Sequence, residues 1–154
     1  MAAFQRILVA TDLSGASELA VSEAVRIAAD SGGALFVLHV LEIEDALALS
    51  TAPEAIYRAY REGAELRLRE CVPNAEGRVD VRFLIREGAA EDEILRAADE
   101  VRADLIVTGT RGRRGTARLF LGSVAARVVA QASCPVLTVR SLRKGSARRR
   151  APAA

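Results

Sequence analysis

The sequence predicts an α/β domain built on a five-stranded parallel sheet with helices on both faces. Three observations carry this. Short apolar, β-branched runs alternate with longer amphipathic stretches in the order βαβαβαβαβ. Most of these runs are apolar throughout, as strands covered on both faces are. Glycine and proline signals such as Gly32-Gly33 and Pro73-Asn74 punctuate the pattern. A length of 154 residues fits one domain, and 51% hydrophobic with 27% charged residues excludes global disorder.

Arg6–Thr11 is the first buried strand. Ser14 is the expected N-cap of the helix that follows. Val21, Ala24, Val25 and Ala28 share one helical face there, and Gly32-Gly33 ends it. Ala34–Val40 is the second strand. The stretch from Glu42 to Ala52 has mixed character and reads as a loop or broken helix. Pro53 suits a helix start, and Tyr57, Tyr60, Ala64, Leu68 and Cys71 form the apolar face of that helix up to Pro73-Asn74.

Val79–Arg86 alternates, with Val79, Val81, Phe83 and Ile85 on one side. It is expected near a sheet edge with one face exposed. Ile94, Ala97, Ala98 and Val101 define the next helix face, with Glu91, Asp92 and Glu93 favourably placed in its first turn. Ala103–Gly109 is a strand ending in glycine. A Gly/Arg-rich loop follows, then a helix carrying Val124, Val128 and Val129. Cys134–Arg140 is the last strand.

The net charge is +2, but Arg140, Arg143, Lys144, Arg148, Arg149 and Arg150 stand without an acid in the last fifteen residues. The remainder sets 16 basic against 20 acidic residues, a charge of −4. The basic balance is thus a property of a small, turn-rich segment, 141–154, expected to be a disordered tail. The tail could touch RNA, DNA or an acidic lipid, but it has no interleaved aromatics, which favours a solubilising or incidental role. No apolar run reaches membrane-span length, no basic-apolar leader opens the chain, and two distant cysteines form no disulfide framework. A cytoplasmic protein is the expectation.

Open parallel sheets bind ligands beyond the carboxyl ends of their strands, where strand order reverses. That singles out Ala10-Thr11-Asp12, Val40-Leu41, Glu87-Gly88 and Thr108-Gly109. The richest segment runs from Gly109 to Val124 in the form G-x2-G-x9-G-S, with Gly109, Gly112, Gly122 and Ser123 at the fixed positions. Successive N–H groups in such a loop form an anion-binding concavity, and a Gly-Ser at a helix N-terminus adds donors and a hydroxyl. The lone lysine is Lys144, so a P-loop is excluded, and G-x-G-x-x-G does not occur.

In order, these segments resemble the universal stress protein family over residues 4 to 140. Ile7–Asp12 with Ser14, Leu38-His39-Val40, Glu87-Gly88, Asp104–Gly109, G-x2-G-x9-G-S and Cys134–Val139 are each similar to the family's corresponding element. The glycine spacing resembles its ATP-binding branch. The resemblance implies a Rossmann-like open sandwich of strand order 3-2-1-4-5. It implies ATP or another adenine nucleotide, with Mg²⁺, in a crevice flanked by Asp12 and Gly109. Ala10, Thr11 and Asp12 would meet the adenine and ribose, and a backbone group of Val40 the adenine. Gly109, Arg111 and Gly112 would lie on the phosphate loop, with Gly122, Ser123 and Val124 completing it. It further implies a homodimer through the last strands, an unidentified protein partner, and a stress-response regulator or sensor.

Plainer roles stand beside these. Asp12 and Ser123 also suit helix caps. Arg111, Arg113, Arg114 and Arg118 suit either phosphate attraction or a solvated loop face. His39 suits a partly buried strand end. Cys71 and Cys134 suit small buried hydrophobes, and Tyr57 and Tyr60 core packing or an interface. No nucleophile, paired carboxylates or metal cluster is evident. A slow ATPase or an adenylate-forming activity on the same fold is therefore the second expectation and a nucleotide-free scaffold the third.

Overall fold

The computed structural model describes residues 3–42, 48–72, 77–111 and 121–141. The expected helix stop at Pro73-Asn74, loop residues Gly112, Arg113, Arg114, Gly115 and Arg118, and the tail from residue 142 lie outside these residues. So does the 43–47 part of the mixed segment.

The elements are β1 (Arg6–Ala10), α1 (Glu18–Ser31), β2 (Ala34–Glu42), α2 (Glu54–Glu70), β3 (Asp80–Gly88), α3 (Ala90–Glu100), β4 (Leu105–Gly109), α4 (Ser123–Gln131) and β5 (Val136–Val139). The strands form one all-parallel sheet in the order β3-β2-β1-β4-β5. Strand order therefore reverses at β1, which pairs with β2 on one side and β4 on the other.

Side chains alternate between two cores. Ile7, Val9, Leu35, Val37, Leu105 and Val107 face α1 and α2, meeting Val21, Ala24 and Leu68. Leu8, Phe36, Leu38 and Ile106 face α3 and α4, meeting Ile94, Ala97, Ala98 and Val128. Each fully buried Leu, Ile or Val contributes about 1.5–3 kcal/mol of hydrophobic stabilisation. At the opposite end of the sheet from the crevice, the Asp104 carboxylate accepts the backbone N–H groups of Gln5 and Arg6 at 2.8 and 3.0 Å. It locks the start of β1 beside the start of β4. Gly33 is required by close approach: a Cβ there would lie 2.7 Å from the Phe4 carbonyl oxygen. Gly32, at φ 66°, ends α1 in the left-handed region.

Several boundaries differ from the sequence reading. The N-cap position of α1 is Ser17, not Ser14. Ser14 is engaged in a turn with Asp12, and its carbonyl accepts the Ser17 amide, so the helix opens one turn later. β2 runs on to Glu42, because β3 pairs with it as far as Gly88. β3 is an edge strand as expected, but its second face is covered in part, with Leu84 packing towards α3. On α2, Ala64 and Leu68 are buried, whereas Tyr60 is 40% exposed. Val129 of α4 is 47% exposed, with Ala125 and Val128 taking the inward positions.

Candidate functional site

Ala10 pairs with Thr108, so the next residues along, Thr11-Asp12 and Gly109-Thr110, stand side by side where the β1–β4 pairing ends, with Gly109 still paired to Val139 of β5. The β1–α1 loop arches over this point: a Cβ on Gly109 would lie 3.7 Å from the Ala16 carbonyl. β1 pairs with β2 only as far as Leu38, and residues 39–42 continue beyond it. Val40 thus stands on a ledge above the end of β1. Floor, loop and ledge bound a crevice at the strand-order reversal, the position that open α/β sheets use for ligands.

The loop is built from short polar side chains. The Thr11 hydroxyl accepts the Leu13 amide at 3.1 Å. Ser17 Oγ donates to the Ser14 carbonyl at 2.9 Å, so the 2.8 Å bond between Thr11 and Ser17 has Thr11 as donor. Asp12 Oδ1 accepts the Ser14 amide at 3.0 Å and the Ser14 hydroxyl. Asp12 therefore closes an Asx turn and does not cap α1, which begins at Glu18. Leu13 has φ 61°, a left-handed conformation costing a branched side chain about 1–2 kcal/mol. Two remote side chains hold the turn. His39 Nδ1 lies 2.9 Å from the Thr11 carbonyl, and Arg67 Nη2 donates to the Leu13 carbonyl at 3.2 Å. A carbonyl has no proton to give, so Nδ1 of His39 carries the hydrogen. A cleft of about 380 Å³ separates this loop from α2 and is lined by Thr11, Leu13, Ser14, Ser17, Arg67 and Cys71, among others.

Across the crevice, the Gly122 amide donates to the Thr110 carbonyl at 2.6 Å. This bond brings the two ends of the Gly/Arg-rich loop together and sets the start of α4 above the end of β4. A Cβ on Gly122 would lie 3.3 Å from the Thr110 oxygen, closer than side chains ordinarily pack. Gly122 itself is the N-cap residue, which removes the capping role considered for Ser123. Ser123 is the first helical residue and is exposed; Val124 is half-buried. The first intrahelical bond of α4 runs from the Ala126 amide to Gly122, so the amides of residues 123–125 precede the ladder and point out of the helix start. With the helix dipole they favour an anion. Arg127 bonds Glu91 and Asp92 of α3, each at 3.2 Å, which fixes the lower turns of α4.

Of the residues expected at the site, Ala10, Thr11, Asp12, Val40, Gly109, Arg111, Gly122, Ser123 and Val124 fall on three strand ends and one helix start around this crevice. Gly112 lies outside the described residues. Sequence reasoning missed Ser17, Thr110 and Arg67. Ser17 and Thr110 are 5% and 6% exposed. The signal for both was polarity beside a strand end, but nothing marked Arg67.

His39 is buried rather than partly buried and lies within β2, three residues before its end, because the strand runs on to Glu42; it also bonds the Thr11 carbonyl. Tyr57 donates its hydroxyl to Glu87 at the end of β3. Cys71 and Cys134 are half-buried, and burial raises both thiols; nearby Asp104 and Asp99 add to the shift at Cys134. Neither is poised as a nucleophile at neutral pH. Among the described residues no cluster of three metal-ligating side chains occurs, and no helix is long and apolar enough to cross a membrane.

The fold is an open, doubly wound parallel α/β domain with polar side chains gathered at its topological switch point. The sequence pattern of the universal stress protein family matches residues 3–140. A universal stress protein of Thermus aquaticus is 38% identical over 138 residues, covering 89% of this chain and 99% of its own. One of Methanocaldococcus jannaschii is 33% identical over 144 residues, covering 92% and 85%. Among solved structures, a universal stress protein in complex with cAMP superposes with a TM-score of 0.61 at 34% identity, over 90% of this chain and 98% of that one. The chain belongs to the universal stress protein family.

Proposed function

We propose that this protein binds an adenine nucleotide, ATP with Mg²⁺ first among them, in the crevice between the ends of β1 and β4. Binding would regulate its contacts with a second copy or a partner protein in a cytoplasmic stress response. One observation carries the reading: the Gly122–Thr110 bond sets the open N-terminus of α4 at the end of β4, the strand paired with β1, whose end leads into Asp12. That arrangement offers hydrogen-bond donors to phosphates at one end and a carboxylate to a ribose or base at the other. Arg111 and Gly112 would extend the phosphate end. Thr11, Ala10 and the ledge at Val40 would take the base. A relative solved with cAMP supports an adenine nucleotide as the ligand class.

The side chains fit a phosphate-bound cation rather than a protein-bound one. Mg²⁺ usually takes most of its ligands from substrate phosphates and waters, and these would hold it at the phosphate end of the site. When bound, the ion would neutralise phosphate charge. The homodimer is proposed through β5, an outer strand of the sheet.

The test uses the protein as purified. Denaturation, removal of the precipitate, and chromatography with mass spectrometry identify any carried nucleotide. Titration of the stripped protein with ATP and Mg²⁺ then measures affinity. Saturable 1:1 binding of an adenine nucleotide is the expected result. Absence of carried nucleotide together with no binding at millimolar ATP would overturn the reading.

A further inference from the structure

Asp12 sits between two backbone carbonyls that are each gripped from elsewhere in the fold. His39, 28 residues on and in β2, bonds the Thr11 carbonyl. Arg67, 54 residues on from Leu13 and in α2, bonds the Leu13 carbonyl. The bonds from Leu13 and Ser14 to Thr11 and Asp12 shape the turn from within. Bonds inside a turn define its shape but do not anchor it to the sheet. The Thr11 amide already bonds the Leu38 carbonyl of β2 at 2.9 Å; the two side-chain bonds add ties to β2 and α2, and the second acts on the residue that is in the left-handed conformation.

We propose that His39 and Arg67 are positioning residues which hold the β1–α1 turn, and with it Asp12, in the orientation the crevice uses. The consequence for ligand affinity rests on the nucleotide reading above; the consequence for the turn does not. Arg67 is exposed, so its replacement leaves the core intact. His39 is buried, so its conservative partner is asparagine, whose amide N–H lies near the position of Nδ1.

The experiment compares the unsubstituted chain with Arg67→Ala, Arg67→Lys, His39→Leu and His39→Asn in two assays. The first is amide hydrogen exchange at Leu13 and Ser14 without nucleotide. Arg67→Ala is expected to speed exchange there about tenfold while the α2 amides keep their rates, and Arg67→Lys to restore most of the protection. His39→Leu is expected to do the same at Leu13, with His39→Asn restoring it. The second assay is ATP affinity, expected to fall about three- to tenfold in Arg67→Ala.

Leu13→Gly separates positioning from general stability. Glycine adopts the left-handed conformation without strain, so Arg67→Ala made in that background is expected to change affinity less than about twofold. Unchanged exchange at Leu13 and Ser14 in Arg67→Ala would overturn the proposal. So would an equal affinity loss with and without Leu13→Gly. If the unsubstituted chain binds no ATP, the nucleotide reading falls, and the exchange data still decide whether these side chains hold the turn.

Discussion

Gly122→Val is the most informative perturbation of the proposed phosphate end. Gly122 has φ −67° and ψ 163°, an extended conformation open to any residue, so backbone strain is not the issue. Contact is. A Cβ at this position meets the Thr110 oxygen at 3.3 Å and the Arg111 Cα at 3.8 Å, while the Gly122 amide already bonds that oxygen at 2.6 Å. Alanine must push the closure open by a few tenths of an ångström, and valine, with two more methyl groups, by more. The helix start then moves away from the strand end. Charge-assisted hydrogen bonds to phosphate are worth about 1.5–3 kcal/mol each. Misaligning two of them costs about 3 kcal/mol, roughly a hundredfold in Kd.

The fold is expected to lose only about 1 kcal/mol, or about 2–4 °C in Tm for a domain of this size. Calorimetric titration with ATP and Mg²⁺, with thermal unfolding on the same samples, reads both quantities. Gly122→Ala is expected to fall between parent and valine. Gly63→Ala is the control: no atom lies within 4 Å of a Cβ there, so alanine in α2 is expected to raise stability by about 0.5–1 kcal/mol and leave affinity alone. A folded Gly122→Val that binds ATP within about threefold of the parent would refute the role of the Thr110–Gly122 closure.

Other consequences are equally direct. Asp12→Asn keeps an acceptor for the Ser14 amide and is expected to unfold within about 0.5 kcal/mol of the parent, whereas Asp12→Ala loses the turn bonds and about 1–2 kcal/mol; both should bind nucleotide more weakly, and denaturant unfolding beside titration separates the two effects. The folded thiols of Cys71 and Cys134 have pKa values raised by burial, so their stabilising contribution is complete below the unfolded thiol pKa and declines as pH rises through the folded value; iodoacetamide labelling at pH 7.5 should be slow in the native protein and fast in urea, and stability should fall in the alkaline range above about pH 8.5. On β5, the carbonyls of Pro135 and Val139 accept from β4, so Val136 and Thr138 turn theirs outward. Thr138→Pro is therefore expected to convert a β5-paired dimer to monomer by sedimentation, and a persistent dimer would move the interface elsewhere.

Much of the fold was legible in the residues. Runs such as Ile7–Ala10 and Leu105–Val107 are apolar on both faces because helices cover both, and Gly32-Gly33 ends α1 because one residue is left-handed and the next has no room for a Cβ. The strand ends carried the candidate site because side-by-side parallel strands expose their carboxyl ends together. Local pattern failed where a side chain answers to a partner distant in sequence. Ser14 has the chemistry of a cap, but Asp12 claims it first, and the cap position passes to Ser17. Tyr60 has the period of the core face of α2, yet it stands outside the surface that the sheet presents.

By itself, then, the sequence determined the order of strands and helices, the residues at each strand end, and the glycine spacing that resembles a nucleotide site. These depend on periodicity and on backbone rules that act over a few residues. The tertiary structure decided what meets across the sheet: that Gly122 closes on Thr110, that Leu13 is left-handed, and that His39 and Arg67 grip the carbonyls on either side of Asp12. Those contacts join residues 12, 28 and 54 positions apart. Chain packing selects such pairs, and no local preference encodes them.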